Sequence, residues 1–394
     1  MSDNSRRYLA SHSWITFSLD LLHAPYTFWI LLGAIESKCK HLAGIPLRPE
    51  KQEELNHISL LKGVQATTAI EGNTLSAEEI SRIIADPKGY EPPKSQEYRT
   101  QEIQNMLAAY NSIINDIAYG NIQSVSFETV KHYNYIILQN LELNNDITPG
   151  EIRTYPVSVG HYRGAPAEDC EFLLNNLFSW LNQDWGLGSK NHIIEGVLKA
   201  IISHLYIAWI HPFCDGNGRT ARTLEFRLLM DAGVPLNAAH LLTSYYNETR
   251  TQYYASLEAS SAHKNGVIDF IQYSLQGFVD ALDSQIKTIL DEQLDITWEN
   301  YVHESCFGGK LTQALRRRRD LLLEISKSKE PIPLNFLRRY ISEDLAKLYQ
   351  DKARVLMRDI NYLLQKGLLT KNNSGYKADK NKMKAFLPLV KQSR

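Results

Sequence analysis

The sequence predicts an all-α protein, in which a helical core carries one small β-hairpin and is followed by a C-terminal winged-helix domain. Apolar residues recur with the helical period in the long segments, as over 193–208, and alternating strand patterns are scarce. The best strand pattern is Val157–Gly160, with a turn-rich segment after it. An abrupt change of charge near residue 305 indicates a domain boundary.

Length and composition indicate a globular chain of two or three domains, at about 150 residues per domain. Its 394 residues are 43% hydrophobic and 22% charged, which excludes a disordered protein. The four cysteines form no C-x-x-C pair, so a zinc ribbon and a disulfide framework are not expected. The N-terminus does not resemble a signal peptide, and the apolar segment 193–210 contains charged residues, which favours a buried helix over a membrane span. We expect a cytoplasmic protein.

The net charge of −1 conceals two oppositely charged parts of the chain. Lys310–Arg394 contains 21 Lys+Arg and 8 Asp+Glu, whereas the preceding residues contain 22 and 36. The basic end either meets nucleic acid or docks on the acidic remainder of the same chain. We expect three regions: an N-terminal helical region at 1–94, a core at 95–304 and a winged helix at 305–394.

The C-terminal region has the helix and hairpin pattern of a winged helix. One helix is predicted over Leu315–Ile325, a second after Pro333 and a third over Arg354–Lys366, before Gly367 and a short hairpin. The third helix would enter the DNA groove if the domain binds DNA. Many domains of this fold are protein–protein modules, so the fold does not decide the role.

A phosphate-binding loop is predicted after the buried helix. Gly216 and Gly218 flank Asn217, and three residues that tolerate positive φ would turn their N–H groups inward as an anion nest. The next helix starts there, and its N-terminus favours anions. Arg219 and Arg222 lie three positions apart in its first turn. Together these features predict a site for a di- or triphosphate.

Two further residues give this loop its chemistry. A carboxylate beside phosphates usually holds Mg²⁺, which assigns Asp215 to the metal. Pro212 ends the buried helix, so His211 lies at the end of a rigid element and is the natural general base. Competing phosphate and hydrolase motifs, including G-x-x-x-x-G-K-[ST] and G-x-S-x-G, are absent from the sequence.

The segment His211–Arg222 resembles the Fic family signature H-x-F-x-[DE]-G-N-G-R-x-x-R and matches it at every defined position. The resemblance implies a helical Fic core over roughly residues 95–290. It implies transfer of a nucleoside monophosphate, usually AMP from ATP, to a protein hydroxyl. The kinase branch typified by Doc has a lysine in place of the second glycine, so Gly218 favours the nucleotidylating branch.

The resemblance also implies roles for the loop residues. His211 would deprotonate the target Ser, Thr or Tyr, and Asp215 would bind Mg²⁺ on the α- and β-phosphates. Arg222 would hold the γ-phosphate. The remaining phosphate contacts would come from Gly216, Asn217, Gly218 and Arg219.

An upstream segment resembles the family's inhibitory pattern [ST]-x-x-x-E-[GN]. It begins at Thr67 and contains Glu71 before Gly72. A carboxylate in the last turn of a helix opposes the helix dipole by roughly 0.3–1 kcal/mol, so Glu71 should have a cationic partner. The resemblance implies that this partner is Arg222 and that Glu71 displaces the γ-phosphate.

Two softer resemblances complete the predicted site. Val157, Val159 and Gly160 fall where the family has a hairpin flap that adds the target as an extra strand. Tyr253 and Tyr254, followed by Leu257, resemble the stretch that lines the adenine pocket. The alternative interpretation is that these tyrosines belong to the ordinary core of a helix. Ser261 stands where the family often has Asn.

The sequence therefore favours a Mg²⁺-dependent enzyme that transfers AMP from ATP to a protein and is inhibited by Glu71. Two alternatives stay open. One is removal of AMP from a modified protein, with Glu71 orienting a water molecule. The other is a DNA-binding regulator whose core only senses nucleotide. The candidate partners are ATP, a target protein, DNA at the basic end and a second copy of the chain; no membrane partner is expected.

Overall fold

The structure is a computed structural model that describes residues 6–86, 89–121, 123–187, 192–262, 266–350 and 353–383. Over these residues the chain is mostly helical with two short antiparallel hairpins, which confirms the predicted all-α class with a small hairpin. In chain order the elements are α1 (Tyr8–Ser11), α2 (Tyr26–Gly44), α3 (Pro49–Ile70), α4 (Ala77–Ala85), α5 (Glu97–Ala118), α6 (Phe127–Leu138), β1 (Ser158–Val159), β2 (Tyr162–Arg163), α7 (Cys170–Leu181), α8 (His192–Ile210), α9 (Asn217–Asp231), α10 (Leu236–Ala239), α11 (Leu241–Glu248), α12 (Arg250–Ser260), α13 (Gly266–Tyr301), α14 (Gln313–Ser326), α15 (Leu334–Tyr340), α16 (Glu343–Leu348), α17 (Ala353–Gln365), β3 (Leu369–Asn372) and β4 (Gly375–Ala378).

The chain divides into two compact units, Met1–Ile286 and Lys287–Arg394. The division falls within α13, whereas the sequence placed the last boundary at 304–305. Residues 266–301 form one uninterrupted helix, so no break in secondary structure marks the division. Gly309, which follows the end of that helix, adopts a left-handed φ of 87°.

Helix α8 forms the centre of the first unit. It packs along α9, and its neighbours α7 and α2 cover other faces. Among the described residues α8 is the one helix that meets the length and hydropathy of a membrane span, and 67% of its most apolar window is buried inside the protein. The predicted buried helix is therefore present, and it ends directly at the predicted phosphate-binding loop.

Helix α3 leads to the predicted inhibitory residue. Its apolar residues Leu55, Ile58, Leu61 and Val64 recur at three-residue steps. They do not all face the core, because Leu55 and Val64 are buried whereas Ile58 is 39% exposed. The C-terminal half of α3 is buried between α5 and α11. Gly72 then adopts a φ of 98° and ends the helix, as the sequence predicted.

The second unit contains one helix more than predicted. Helices α14, α15 and α17 lie where the sequence placed them, but α16 was missed because six residues are too short to show a helical period. On α17, Leu356, Ile360 and Leu363 are buried, whereas Leu364 is only partly buried. Gly367 ends this helix with a φ of 59°, and the hairpin β3–β4 follows.

Candidate active site

The predicted phosphate-binding loop begins at a residue with a strained backbone. His211 follows the last residue of α8 and has a φ of 49°, which is uncommon for a residue other than glycine. Gly216 has a φ of 75°, and α9 begins directly after it. Asn217 and Gly218 are already helical, so the expected three-residue nest is wrong in detail. One left-handed glycine aims the start of a helix at the site instead.

The loop forms the floor of a cavity of about 680 Å³. Every residue that the sequence assigned to the site lines this cavity except Thr67 and Arg219. Segments far apart in the chain contribute to the lining: Glu71, Val157–Tyr162, His204, Ala208, Trp209, His211, Cys214–Gly218, Ala221, Arg222, Tyr253, Tyr254, Leu257 and Glu258.

The environment of His211 favours a neutral imidazole. Burial lowers the pKa of His211 to about 4, and the nearby positive charge of Arg153 acts in the same direction. A hydrogen bond with the backbone of Ala208 and the charges of Glu71 and Asp215 oppose this shift only in part. At neutral pH the ring is therefore unprotonated and can accept a proton.

Arg222 is fully buried and bonded to the end of α3. Its Nη2 lies 2.6 Å from Oε1 of Glu71, in an ion pair. Its Nε donates to Oγ1 of Thr67 at 2.9 Å, and Nη2 also donates to the Thr67 carbonyl at 3.0 Å. The cationic partner predicted for Glu71 is therefore Arg222. Thr67 is a second anchor of the same guanidinium, which explains why it does not line the cavity.

The Glu71 carboxylate lies directly over the start of α9. A methyl group added to Gly218 would collide with this carboxylate, and the Glu71 side chain is 32% exposed. Burial tends to raise the pKa of Glu71, but Arg222, with smaller contributions from Arg219 and Arg250, lowers it below its usual value. The Glu71 carboxylate thus places a negative charge where the start of α9 would otherwise bind an anionic ligand.

Arg219 is held away from the cavity by a chain of buried polar groups. Its Nη1 donates to Oε1 of Glu102 at 2.7 Å, and its Nη2 lies 3.3 Å from Oδ1 of Asp215. The other oxygen of Glu102 accepts from the Asn73 amide at 3.1 Å. Sequence reasoning missed both Glu102 and Asn73. The only signal in the sequence for either residue was that Asn73 comes two residues after Glu71.

The side chain of Asn217 stabilises the loop itself. Its Oδ1 accepts from the backbone N–H of Phe213 at 2.9 Å, and its Nδ2 donates to the Phe213 carbonyl at 2.8 Å. Phe213 is 1% exposed, so the residue that Asn217 holds is packed in the core. Asn217 therefore offers a ligand its main-chain N–H rather than its amide.

The two predicted adenine-side tyrosines lie in different environments. Tyr253 is 2% exposed, and its hydroxyl is 2.8 Å from Nε2 of His204. Tyr254 is 40% exposed, and its hydroxyl donates to the carbonyl of Ile70 at 3.4 Å. Tyr254 therefore touches both the cavity and the end of α3, and Leu257 lies beside it in the cavity wall.

The predicted flap is a two-stranded antiparallel hairpin at the cavity rim. Ser158 pairs with Arg163 and Val159 pairs with Tyr162. Gly160 lies in the turn with a φ of 57°. Val159 is 49% exposed, so a strand edge at the cavity is accessible to another chain.

A buried arginine that sequence reasoning missed joins the flap to the loop. Arg153 is 2% exposed, and its Nε donates to the carbonyl of His211 at 2.6 Å. Its Nη1 donates to the Tyr155 carbonyl at 2.8 Å, and its Nη2 donates to the carbonyls of Ala165 and Ile210. One guanidinium therefore binds both ends of the flap and the residue at the end of α8.

Comparisons with known proteins agree with this geometry. The sequence model of the Fic/DOC family matches residues 124–229, which contain the flap, α8 and the loop. The chain is 29% identical over 235 residues to the protein adenylyltransferase fic-1 of Caenorhabditis elegans, covering 58% of this chain and 43% of that protein. It is 31% identical over 188 residues to the protein adenylyltransferase Fic of Aedes aegypti, covering 48% and 34%. The chain thus spans less than half the length of these relatives.

Solved structures show the same fold. The structure of residues 134–508 of C. elegans Fic-1 superposes with a TM-score of 0.55 at 23% identity, covering 68% of this chain and 74% of that one. A Fic family protein from Desulfovibrio desulfuricans gives 0.51 at 17% identity, covering 87% and 92%.

Proposed function

We propose, from the premise that residues 124–229 form a Fic/DOC family domain, that this chain is a protein adenylyltransferase that transfers AMP from ATP to a hydroxyl group of a target protein. The observation that carries the proposal is one cavity lined together by His211, Asp215, Arg222 and the start of α9. These groups supply a base, a metal-binding carboxylate and a phosphate site. The names of the relatives support the same reaction.

His211 is the general base of the proposed reaction. Its imidazole takes the proton of the target hydroxyl while the hydroxyl oxygen bonds to the α-phosphorus of ATP. The bond between that phosphorus and the pyrophosphate oxygen breaks, so pyrophosphate leaves and AMP remains on the target. The lowered pKa of His211 supports this role, because the imidazole is neutral before proton transfer.

The phosphates are held by the start of α9, with Arg222 on the γ-phosphate and Arg219 contributing charge beside it. Asp215 fits Mg²⁺, which takes one or two carboxylates and completes its shell with water and substrate phosphates. The described residues contain no cluster of three metal-ligating side chains, and such a shared site does not need one. Bound Mg²⁺ would neutralise phosphate charge.

Glu71 inhibits the enzyme by occupying Arg222. The 2.6 Å ion pair engages the guanidinium that the γ-phosphate needs, and the carboxylate covers Gly218. ATP bound beside Glu71 would have a misplaced α-phosphate. Misplacement by about 1 Å costs on the order of 10²-fold in rate.

The remaining walls of the cavity suit the target protein and the adenine of ATP. We assign the hairpin edge at Val157, Val159 and Gly160 to the target backbone, which adds as an extra strand. Tyr254 and Leu257 cover the adenine, with Tyr253 packed behind them. The exposure of Val159 and the partial exposure of Tyr254 support these assignments.

A second candidate reaction is removal of AMP from a modified protein. The observation that favours it is that Glu71 is anionic and one-third exposed within the cavity, so its carboxylate can orient a water molecule toward the phosphorus. The two reactions differ in whether a hydroxyl group or water attacks.

We further propose that the second unit is a winged helix. Ile332 and Tyr376 exchange backbone hydrogen bonds of 2.8 and 2.9 Å and form an isolated antiparallel β-bridge beside the β3–β4 hairpin, which supports this fold. We place the protein in the cytoplasm, since all four of its cysteines are free thiols.

The deciding experiment incubates the chain and its Glu71→Gly variant with a lysate, Mg²⁺ and ATP labelled at either the α- or the γ-phosphate. Compared with lysate that lacks the chain, additional label should pass to protein from the α-position only, and EDTA should abolish it. Chain-dependent transfer from the γ-position would contradict the proposal. A parallel incubation of the unaltered chain with AMP-modified protein tests the second candidate through release of free AMP.

A further inference from the structure

One face of α17 presents a row of exposed arginine and amide side chains. Arg354, Arg358, Asn361 and Gln365 are all exposed and follow one another at steps of four, three and four residues. This spacing places them on one side of the helix. They line a groove of about 590 Å³ together with Arg318, Met357 and Tyr362.

The groove is positively charged. Three guanidinium groups line it, and no carboxylate lies among the described residues of the lining. Lys371 and Lys377 are exposed on the adjoining hairpin β3–β4. A polyanion complements this surface.

A buried contact fixes the direction in which this face points. Asp359, on the opposite side of α17, is 0% exposed and accepts from Nε of Arg317 at 2.7 Å and from Nε of Arg318 at 2.8 Å. The hydroxyl of Tyr349 donates to the same carboxylate at 3.2 Å. The row is therefore held on a rigid element, which recognition at atomic distances requires.

We propose that this face of α17 binds the major groove of double-stranded DNA, with Arg354 and Arg358 on phosphates and guanine edges and Asn361 and Gln365 on adenine edges. Arginine pairs with guanine, and asparagine and glutamine pair with adenine, in a groove wide enough for a helix. The row spans about 16 Å along the helix axis at 1.5 Å per residue. Folded RNA does not fit, because its major groove is too narrow to admit a helix.

The test is fluorescence anisotropy of the full chain with labelled duplexes, without ATP, followed by selection from a random duplex pool. Binding should fall steeply with salt, and the double variant Arg354→Ala/Arg358→Ala should lose about tenfold or more in affinity and about 1–2 units of log–log salt slope. Asn361→Ala/Gln365→Ala should keep the slope and lose the selected sequence. Arg82→Ala, an exposed arginine on α4, removes a positive charge elsewhere and should bind like the parent.

Three results would overturn the proposal. They are no duplex binding at 50 mM salt, tighter binding to RNA of the same length, and an unchanged salt slope in the arginine double variant. The last two would show that nucleic acid binds elsewhere or in another form. No step of this assay involves ATP or AMP. A failure to bind DNA therefore does not bear on the proposed AMP transfer, and a failure of AMP transfer does not bear on DNA binding. From the sequence we expect Arg354 and Arg358 to matter more for DNA binding than Lys391, which lies outside the described residues.

Discussion

The main-chain carbonyl of His211 accepts a hydrogen bond from Nε of Arg153 at 2.6 Å, across 58 positions of the chain. The same guanidinium donates only to carbonyl oxygens in the contacts described above, so it acts as a scaffold rather than as a partner for a charge. Gly164 completes the arrangement, because a methyl group there would come within 2.9 Å of the His211 Cβ and 3.0 Å of the Arg153 Nη2. The left-handed backbone of the proposed base is thus fixed from outside the loop.

We expect Arg153→Lys to slow AMP transfer by about 10²-fold while ATP binding stays nearly constant, because the base is displaced and the phosphate site is not. The measurement is kcat and KM in the Glu71→Gly background, beside ATP titration. Arg82→Lys is the matched control on an exposed arginine. Loss of ATP binding together with the rate would mean that Arg153 supports the whole fold rather than the position of His211.

We expect Glu71→Gly to raise AMP transfer sharply, chiefly in kcat, because Arg222 becomes available to the γ-phosphate. Arg222→Ala should be inactive, and adding Glu71→Gly to it should not restore the rate. Glu248→Gly removes an exposed glutamate at the end of another helix and should change nothing. Labelling the variants side by side checks this, and an activated double variant would refute the role given to Arg222.

Removal of the base should separate chemistry from binding. His211→Ala should reduce transfer by about 10²–10⁴-fold, since that is the usual contribution of a general base, with ATP affinity nearly unchanged. The exposed His132→Ala on α6 is the control. Transfer at the parental rate in His211→Ala would show that another group accepts the proton.

Stability should decrease in mild acid because two histidines are neutral in the folded state. Burial lowers the pKa of His240, as of His211, to about 4, whereas an unfolded histidine titrates near 6.5. The unfolded state therefore binds more protons between these values, so stability is complete above about pH 6.5 and is lost as the pH falls toward 4. His240, which is 3% exposed, accounts for on the order of 3 kcal/mol at the acid limit, and the partly exposed His211 accounts for less.

Thermal unfolding between pH 7.5 and 4.5 checks this expectation. His240→Gln should flatten the decline, whereas the exposed His57→Gln should not. A decline as steep in His240→Gln as in the parent would assign the acid sensitivity to other groups.

Local pattern was sufficient for the parts of the protein that are continuous in sequence. The position of the loop from His211 to Arg222, the end of α3 at Gly72 and helices α14, α15 and α17 follow from spacing and turn residues, whereas the six-residue α16 does not. Even the pairing of Glu71 was foreseeable, because an acid at a helix C-terminus requires a cation.

The contacts that determine geometry could not be predicted in the same way. Arg153 and Glu102 lie 58 and 117 positions from the residues they hold, and an isolated arginine or glutamate has no periodicity to mark it. The conformation of Gly218 was also out of reach, since a glycine permits a left-handed backbone without requiring it. These features depend on how the helices pack.

The hydrogen bond from Tyr254 to the carbonyl of Ile70 makes one side chain a shared neighbour of the cavity and of the end of α3. Coupling between two binding events is reciprocal, so any protein that drew this end of α3 away would change the affinity for nucleotide, and nucleotide would change the affinity for that protein by the same factor. The occupancy of α3 by such a protein would then depend on how much nucleotide is available. A protein that regulates Glu71 could therefore be isolated by its nucleotide-dependent binding to this chain, before any modified target is known.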